Sequence, residues 1–364
     1  MKRYPPYDPV EYIEWTPDPK VLASYRKTID EHPHLGKWIE ELGPEGLGRL
    51  YRGLVRNRLF DITLKRWVRT GVITKAWLGQ GEEATTVGAT HALSEGDVVG
   101  PMIRNAAACF ERGIPLEDCL KVYLATADTI TQGRDLHIGD LEKGVISPVS
   151  LVGDLVPVAT GFALAFQMRG EERVAVTWCG DGATRTGAFH EGVAMAASAN
   201  APVIVIVQDN GVALGTECEP RLRKALRGMP TGYAIAGLEC DGNNVFDVYA
   251  KVRDARTRCL EGGGPVLIYA STFRMGGHAT HDEREARALF ESDTFRDWAA
   301  RDPVGCFEET VKAAGWLGKG AEAQLQAWED EVTREIDAAE KAALDARSAA
   351  PPDPDAMLGE VYAK

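Results

Sequence analysis

Three stretches of the chain are apolar almost without a break: VAVTW (174–178), APVIVIVQ (201–208) and GPVLIYAS (264–271). Each is short, rich in β-branched residues and bounded by glycine or polar residues, which predicts buried strands. Between the first two lies GAFHEGVAMAASA (187–199), a helical segment with small residues Ala188, Gly192 and Ala196 at a spacing of four. Strands that are apolar on both sides and alternate with helices predict an α/β fold, a parallel sheet with helices on both faces. In LYRGLVRNRLFDITLKRWVRTG (50–71), Leu50, Leu54, Leu59, Ile62 and Trp67 recur near helical spacing, and Gly71 is the stop. Leu325, Trp328, Val332, Ile336, Ala339 and Ala343 form a stripe on a charged helix that AAPPDPDA (349–356) breaks. A second small pair, Gly161 and Ala165 after Pro157, like the 188–196 stripe, allows tight helix packing within the chain or between subunits.

The first 45 residues differ. Pro5, Pro6, Pro9, Pro17, Pro19 and Pro33 with many aromatics suit an arm along a partner's surface better than a domain. The expected organisation is an N-terminal arm (1–45), one α/β domain (46–320) and a C-terminal helix and tail (321–364).

Charge narrows the function. Forty-one basic against 54 acidic residues leave a net charge of −13, against a nucleic-acid or anionic-membrane partner, either of which needs a concentrated basic face. The seven cysteines are scattered, with no C-x-x-C pair, so neither a zinc site nor a disulfide framework is expected. The polar, proline-rich start does not read as a signal peptide, and the longest apolar run, 155–166, is too short to span a bilayer. A cytoplasmic protein is expected.

The chemistry concentrates after the first strand, in CGDGATRTGAFHEG (179–192). Glycines 180 and 182 allow a tight turn and a close backbone approach, and the amides that follow face an anion at a helix start. Asp181 opposes a phosphate there unless a cation lies between them. Mg²⁺ takes carboxylate and amide oxygens and binds phosphate as well. A second oxygen ligand stands 29 residues on, in Asp209-Asn210-Gly211 at the end of the next strand. Gly211 permits a turn that aims the Val212 carbonyl at the same ion. Without a cation, Asp181 reads as a helix N-cap, Asn210 as a turn residue, and Arg104 and Arg274 as salt-bridge partners. His190 and Glu191, on the helix, read as packing or capping groups. The nucleotide fingerprint G-x-G-x-x-G is absent after VAVTW.

This constellation resembles the thiamine-diphosphate motif, Gly-Asp-Gly followed about thirty residues later by paired asparagines. From Tyr51 to the carboxyl terminus the chain resembles the E1 component alpha subunit of the 2-oxo acid dehydrogenase complexes. The resemblance implies a thiamine-diphosphate-binding fold, its diphosphate-binding half. It implies Mg²⁺ on Asp181, Asn210 and the carbonyl of Val212, with Gly180 and the amides of Gly182 and Ala183 at the diphosphate. VGPMIRNAA (99–107) then supplies Arg104, and STFRMGGHATHDER (271–284) supplies Arg274 and the catalytic His278. RDLHIGD (134–140) places His137 near the cofactor entrance. SLVGDLVPVATG (150–161) sets Ser150 and Val152 under the thiazolium ring. Ile103 stands where the family has Tyr, Asp209 replaces the first asparagine, and Gln208 replaces Arg or Glu. Ala279 replaces the serine that regulatory kinases modify in mitochondrial relatives, so control at that position is not expected.

The implied activity is oxidative decarboxylation of a 2-oxo acid and acyl transfer to the lipoyl domain of E2. The implied assembly is an α2β2 heterotetramer in which a beta subunit supplies the glutamate against the pyrimidine. CDGNNVFDVYA (240–250) and RMGGHATHDE (274–283) lean towards branched-chain members. Pyruvate and acetoin types, and a non-catalytic assembly subunit of the same fold, remain alternatives.

Overall fold

A computed structural model describes residues 15–354. Five strands, β1 (Val98–Gly100), β2 (Ala175–Gly180), β3 (Val203–Asp209), β6 (Ala236–Asp241) and β7 (Val266–Ser271), form one parallel sheet in the order β1-β2-β3-β7-β6. A two-stranded antiparallel hairpin, β4 (Val212–Ala213) and β5 (Thr216–Glu217), follows β3 directly. The register sets Gly180 beside Gln208 and Asp209 beside Ser271. The carboxyl ends of β2, β3 and β7 therefore lie level, where ligands of open α/β sheets bind.

The unbroken apolar runs have a simple cause. Val176, Trp178, Ile204, Ile206, Ile268 and Ala270 face one core, with helices Leu35–Arg69, Val245–Leu260 and Ala321–Ala349. The residues between them, Ala175, Cys179, Val205, Val207, Leu267 and Tyr269, face a second core under helices Leu155–Arg169 and Gly187–Ser198. Both faces are covered, so the period of two in side-chain direction leaves no polar trace. The expected parallel sheet is present. β2 extends two residues past the expected 178, and β1 and β6 were not anticipated. β1 is three residues long, and β6 is an edge strand carrying Glu239 and Asp241, so neither shows an apolar run.

The helix expected from Leu50 begins at Leu35 instead. Gly43 (φ 57°) before Pro44 kinks it, which hides its first turns from a periodic reading. Its end at Arg69, followed by Gly71 at φ 75°, agrees with the expected stop. Of the expected arm, residues 19–31 form a helix capped by Asp18. Tyr25, Ile29, Leu35 and Ile39 are buried, and that helix lies against helices Pro303–Ala314 and Val245–Leu260 of the same chain. Residues 1–14 of the arm and 355–364 of the tail lie outside the described residues. Among the described residues, no helix is long and apolar enough to cross a membrane.

The two small-residue stripes serve differently. A Cβ on Gly192 would meet Pro157 N at 2.6 Å, so this glycine lets helices Gly187–Ser198 and Leu155–Arg169 touch. Gly161 is exposed, with open space around it. All six stripe residues of helix Ala321–Ala349 are buried, and its Trp328 seats over Gly48. A Cβ at Gly48 would lie 2.6 Å from Trp328 Cζ2. Gly48→Ala gains about 1 kcal/mol of helix propensity, but wedging the buried indole costs about 1–3 kcal/mol. The expected net is a loss of about 0–2 kcal/mol in urea denaturation; a more stable variant would show that the contact yields freely.

Candidate active site at the carboxyl ends of the strands

β2 ends at Gly180, and Asp181–Arg185 makes a tight 3₁₀ turn before helix Gly187–Ser198. Thr186, not Asp181, caps that helix, accepting from the Phe189 amide at 3.2 Å. The capping alternative for Asp181 is thereby corrected. Asp181 is 2% exposed; its Oδ1 accepts from Gly182 N at 2.7 Å, while Oδ2 is buried and completes no hydrogen bond. Burial first, and the Asp209 carboxylate second, hold its pKa above the ordinary carboxylate range. A buried carboxylate oxygen without a partner is costly unless a cation meets it. Gly182 is required by close approach, since its Cβ would sit 2.5 Å from the Ala213 Cβ. A Cβ on Gly180 would point into open space.

The end of β3 brings the amide ligand candidate. Asn210 is buried, its Nδ2 donating to Glu82 Oε1 at 3.0 Å and its Oδ1 accepting from Val212 N at 3.2 Å. Gly211 has φ 76°, which turns the chain into the hairpin that carries Val212. Asp209 is held by Arg223 at 2.7 Å and Arg227 at 3.1 Å. Gln208 is buried, its Oε1 accepting from Asn105 Nδ2 at 2.9 Å while Nε2 lacks a partner.

The cations complete the picture. Arg104, in the 3₁₀ turn after β1, lies 3.1 Å from Glu82 Oε2, yet its Nε and Nη2 complete no hydrogen bond. Arg274, just past β7, donates to the carbonyls of Gly276 (3.1 Å) and Leu214 (3.3 Å) and leaves Nη1 unpartnered. Burial and then Arg104 push its pKa down to about 10. His278 is partly buried; burial, then Arg104 and Arg274, push it down to about 4. Two buried arginines with unused donors form a cradle for an anion.

A cavity of about 240 Å³ joins several of these groups. Arg104, His137, Ser150, Val152, Ala183 and His278 all line it, with an apolar wall of Trp77, Met102, Ile103, Val149 and Leu151. Asp181, Asn210, Val212, Arg274 and glycines 180 and 182 are not on that lining. His137 bonds Asp135 at 2.8 Å through Nδ1, and its Nε2 is 3.4 Å from Ser150 Oγ. Leu151 (69%) and Val152 (61%) stand exposed on the lining. His190 pairs with the Tyr233 hydroxyl and packs edge-on to Phe189, as a structural histidine does. Among the described residues, no three His, Cys, Asp or Glu converge as metal ligands. A cation here would have one carboxylate plus amide and main-chain oxygens to rest on.

Sequence reasoning missed Glu82 and Gln80, whose buried Oε1 has no partner. The signal was the acidic pair Glu82-Glu83 inside the otherwise apolar AWLGQGEEATTVGA (76–89). Glu83 is fully buried and accepts from Arg58 and from Gly81 N.

The family model described as Dehydrogenase E1 component matches residues 51–352. The chain is 33% identical over 291 residues (78% of it, 83% of the relative) to the alpha subunit of acetoin:2,6-dichlorophenolindophenol oxidoreductase of Cupriavidus necator. It is 30% identical over 337 residues (91% of it, 72% of the relative) to mitochondrial 2-oxoisovalerate dehydrogenase subunit alpha of Homo sapiens.

Proposed function

The chain belongs to the dehydrogenase E1 component family, as a 2-oxo acid dehydrogenase E1 alpha subunit, and from that premise we propose that it holds thiamine diphosphate through Mg²⁺ and decarboxylates a branched-chain 2-oxo acid. One observation carries the reading. At the carboxyl ends of the strands a buried carboxylate oxygen of Asp181 and buried nitrogens of Arg104 and Arg274 complete no hydrogen bond. A divalent ion held with a diphosphate would satisfy all three.

Asp181, the Asn210 amide oxygen and the Val212 carbonyl would hold the ion. Arg104, Arg274, Gly180 and the Gly182 and Ala183 amides would hold the diphosphate. Ser150 and Val152 would support the ring. Bound there, thiamine diphosphate supplies the nucleophilic carbon and electron sink that loss of CO₂ requires. His278, neutral beside two arginines, serves as proton carrier and charge stabiliser at the substrate oxygen. His137, aligned by Asp135, orients Ser150 at the cavity mouth. The apolar wall excludes water and fits an aliphatic side chain.

Residues 46–320 are the diphosphate-binding half of a larger site. The exposed apolar residues Val149, Leu151 and Val152 beside the cavity suit cover by a beta subunit, which supplies the remaining glutamate in an α2β2 assembly and receives the lipoyl domain of E2. Among the described residues the seven cysteines form no disulfide and six are buried, in keeping with a reducing, cytoplasmic setting.

Acetoin is the second reading, raised by the Cupriavidus necator relative. The assay is kcat/KM of the assembled complex for 3-methyl-2-oxobutanoate, pyruvate and acetoin. The added methyl groups in an apolar pocket predict about 10-fold or more in favour of the branched acid over pyruvate. Faster turnover of pyruvate or acetoin would replace the substrate assignment.

A further inference from the structure

We propose that Glu82 is a positioning residue that decides which end of the Asn210 amide faces the metal. The inference rests on the reading that Asn210 is an Mg²⁺ ligand. An asparagine ligates a hard cation through oxygen alone; turned by half a rotation, it presents an NH₂ group that repels the ion. Something must choose between the two orientations, which differ little in shape.

Glu82 makes the choice. It lies just before helix Glu83–His91, is 1% exposed, and is tethered by its own amide to the Gly79 carbonyl at 2.9 Å. A carboxylate only accepts, so the amide end 3.0 Å from Glu82 Oε1 is the NH₂. The Val212 N–H only donates, so the end it meets at 3.2 Å is the oxygen. That oxygen keeps a second lone pair for a cation. The flipped amide would set oxygen against carboxylate and NH₂ against N–H, two repulsions in a buried place. The second Glu82 oxygen, Oε2, stands 3.1 Å from Arg104 Nη2. One carboxylate thus joins the group facing the metal to the group facing the diphosphate. Groups of this kind, one step behind the ligands, change metal affinity by about 10–100-fold when removed.

Two substitutions separate this role from a plain ion pair. Glu82→Gln keeps a carbonyl acceptor for the Asn210 NH₂ but loses the charge beside Arg104; Glu82→Ala loses both. Binding of Mn²⁺ to the chain assembled with its beta subunit and saturated with thiamine diphosphate is read from the spectroscopic signal of the free ion. The expected result is that Glu82→Ala raises the Mn²⁺ Kd by about 10–100-fold and that Glu82→Gln restores most of the loss. In an Asn210→Asp background both ends of the side chain are oxygen, so Glu82→Ala should then cost no affinity. If Gln fails as badly as Ala, Glu82 is only the ionic partner of Arg104 and the inference falls. Wild-type affinity in Glu82→Ala overturns it as well, and so does an equal loss in the Asn210→Asp background, which also covers an Ala variant that assembles poorly. A wild-type complex that binds neither Mn²⁺ nor thiamine diphosphate overturns the metal-site reading together with the inference.

Discussion

Replacing Asp181 with Asn is expected to give a chain that is inactive yet more resistant to unfolding in the absence of cofactor. The two effects share one cause. Wild-type Asp181 is buried, with one oxygen bonded by Gly182 N and the other unpartnered, and its pKa is raised by burial and by Asp209. A raised folded-state value means that the folded chain binds the proton more tightly than the unfolded chain does. The stability linked to that proton is therefore present below the ordinary carboxylate pKa and is lost as pH rises through the raised one. Asn keeps the acceptor for Gly182 N and carries no charge, so the variant escapes this loss. At neutral pH it should unfold about 1 kcal/mol later in urea, the usual scale for exchanging a buried unpaired charge for a neutral amide. The advantage should vanish near pH 4. In the assembled enzyme the same change removes the charged ligand of a hard cation, and a drop in kcat/KM on the order of 1,000-fold, about 4 kcal/mol, is expected. A variant that loses stability without the cofactor would mean that Asp181 is a structural residue.

His278→Ala carries the second large effect, with a different signature. Decarboxylation should fall about 100- to 10,000-fold, the range for a removed proton-transfer group, while thiamine diphosphate affinity stays near that of wild type. The pH behaviour identifies the group. Burial, Arg104 and Arg274 push His278 down to about 4. A depressed value contributes stability that is present above the ordinary imidazole pKa of about 6.5 and lost as pH falls towards 4. A diphosphate held by the two arginines would neutralise part of their charge and let the imidazole rise again. Cofactor binding at pH 5–6 should therefore take up a fraction of a proton, measurable by calorimetry in buffers of different ionisation enthalpy. That uptake should be absent in His278→Ala. Equal uptake in both proteins would place the titrating group elsewhere.

How legible these features were depended on how each announces itself. β2, β3 and β7 could be read because both of their faces are covered, which leaves an apolar run in the sequence. β1 and β6 could not, since three residues carry no period and an edge strand admits Glu239 and Asp241. The kink at Gly43-Pro44 concealed the first turns of helix Leu35–Arg69. Asp181 and Asn210 stood out because a strand, a helix and a strand fix their separation. Glu82 gave no such signal. An acidic residue at a helix start normally means a charge on the helix dipole, and its contact with Asn210 spans 128 positions.

The measurement that bears most directly on the central claim is calorimetric titration of thiamine diphosphate into the chain assembled with its beta subunit, with and without Mg²⁺. Saturable binding that requires Mg²⁺ and is abolished by a chelator is the predicted result. Absence of binding, or binding indifferent to the metal, would contradict the assignment of Asp181, Asn210 and Val212 as a cation site facing a diphosphate.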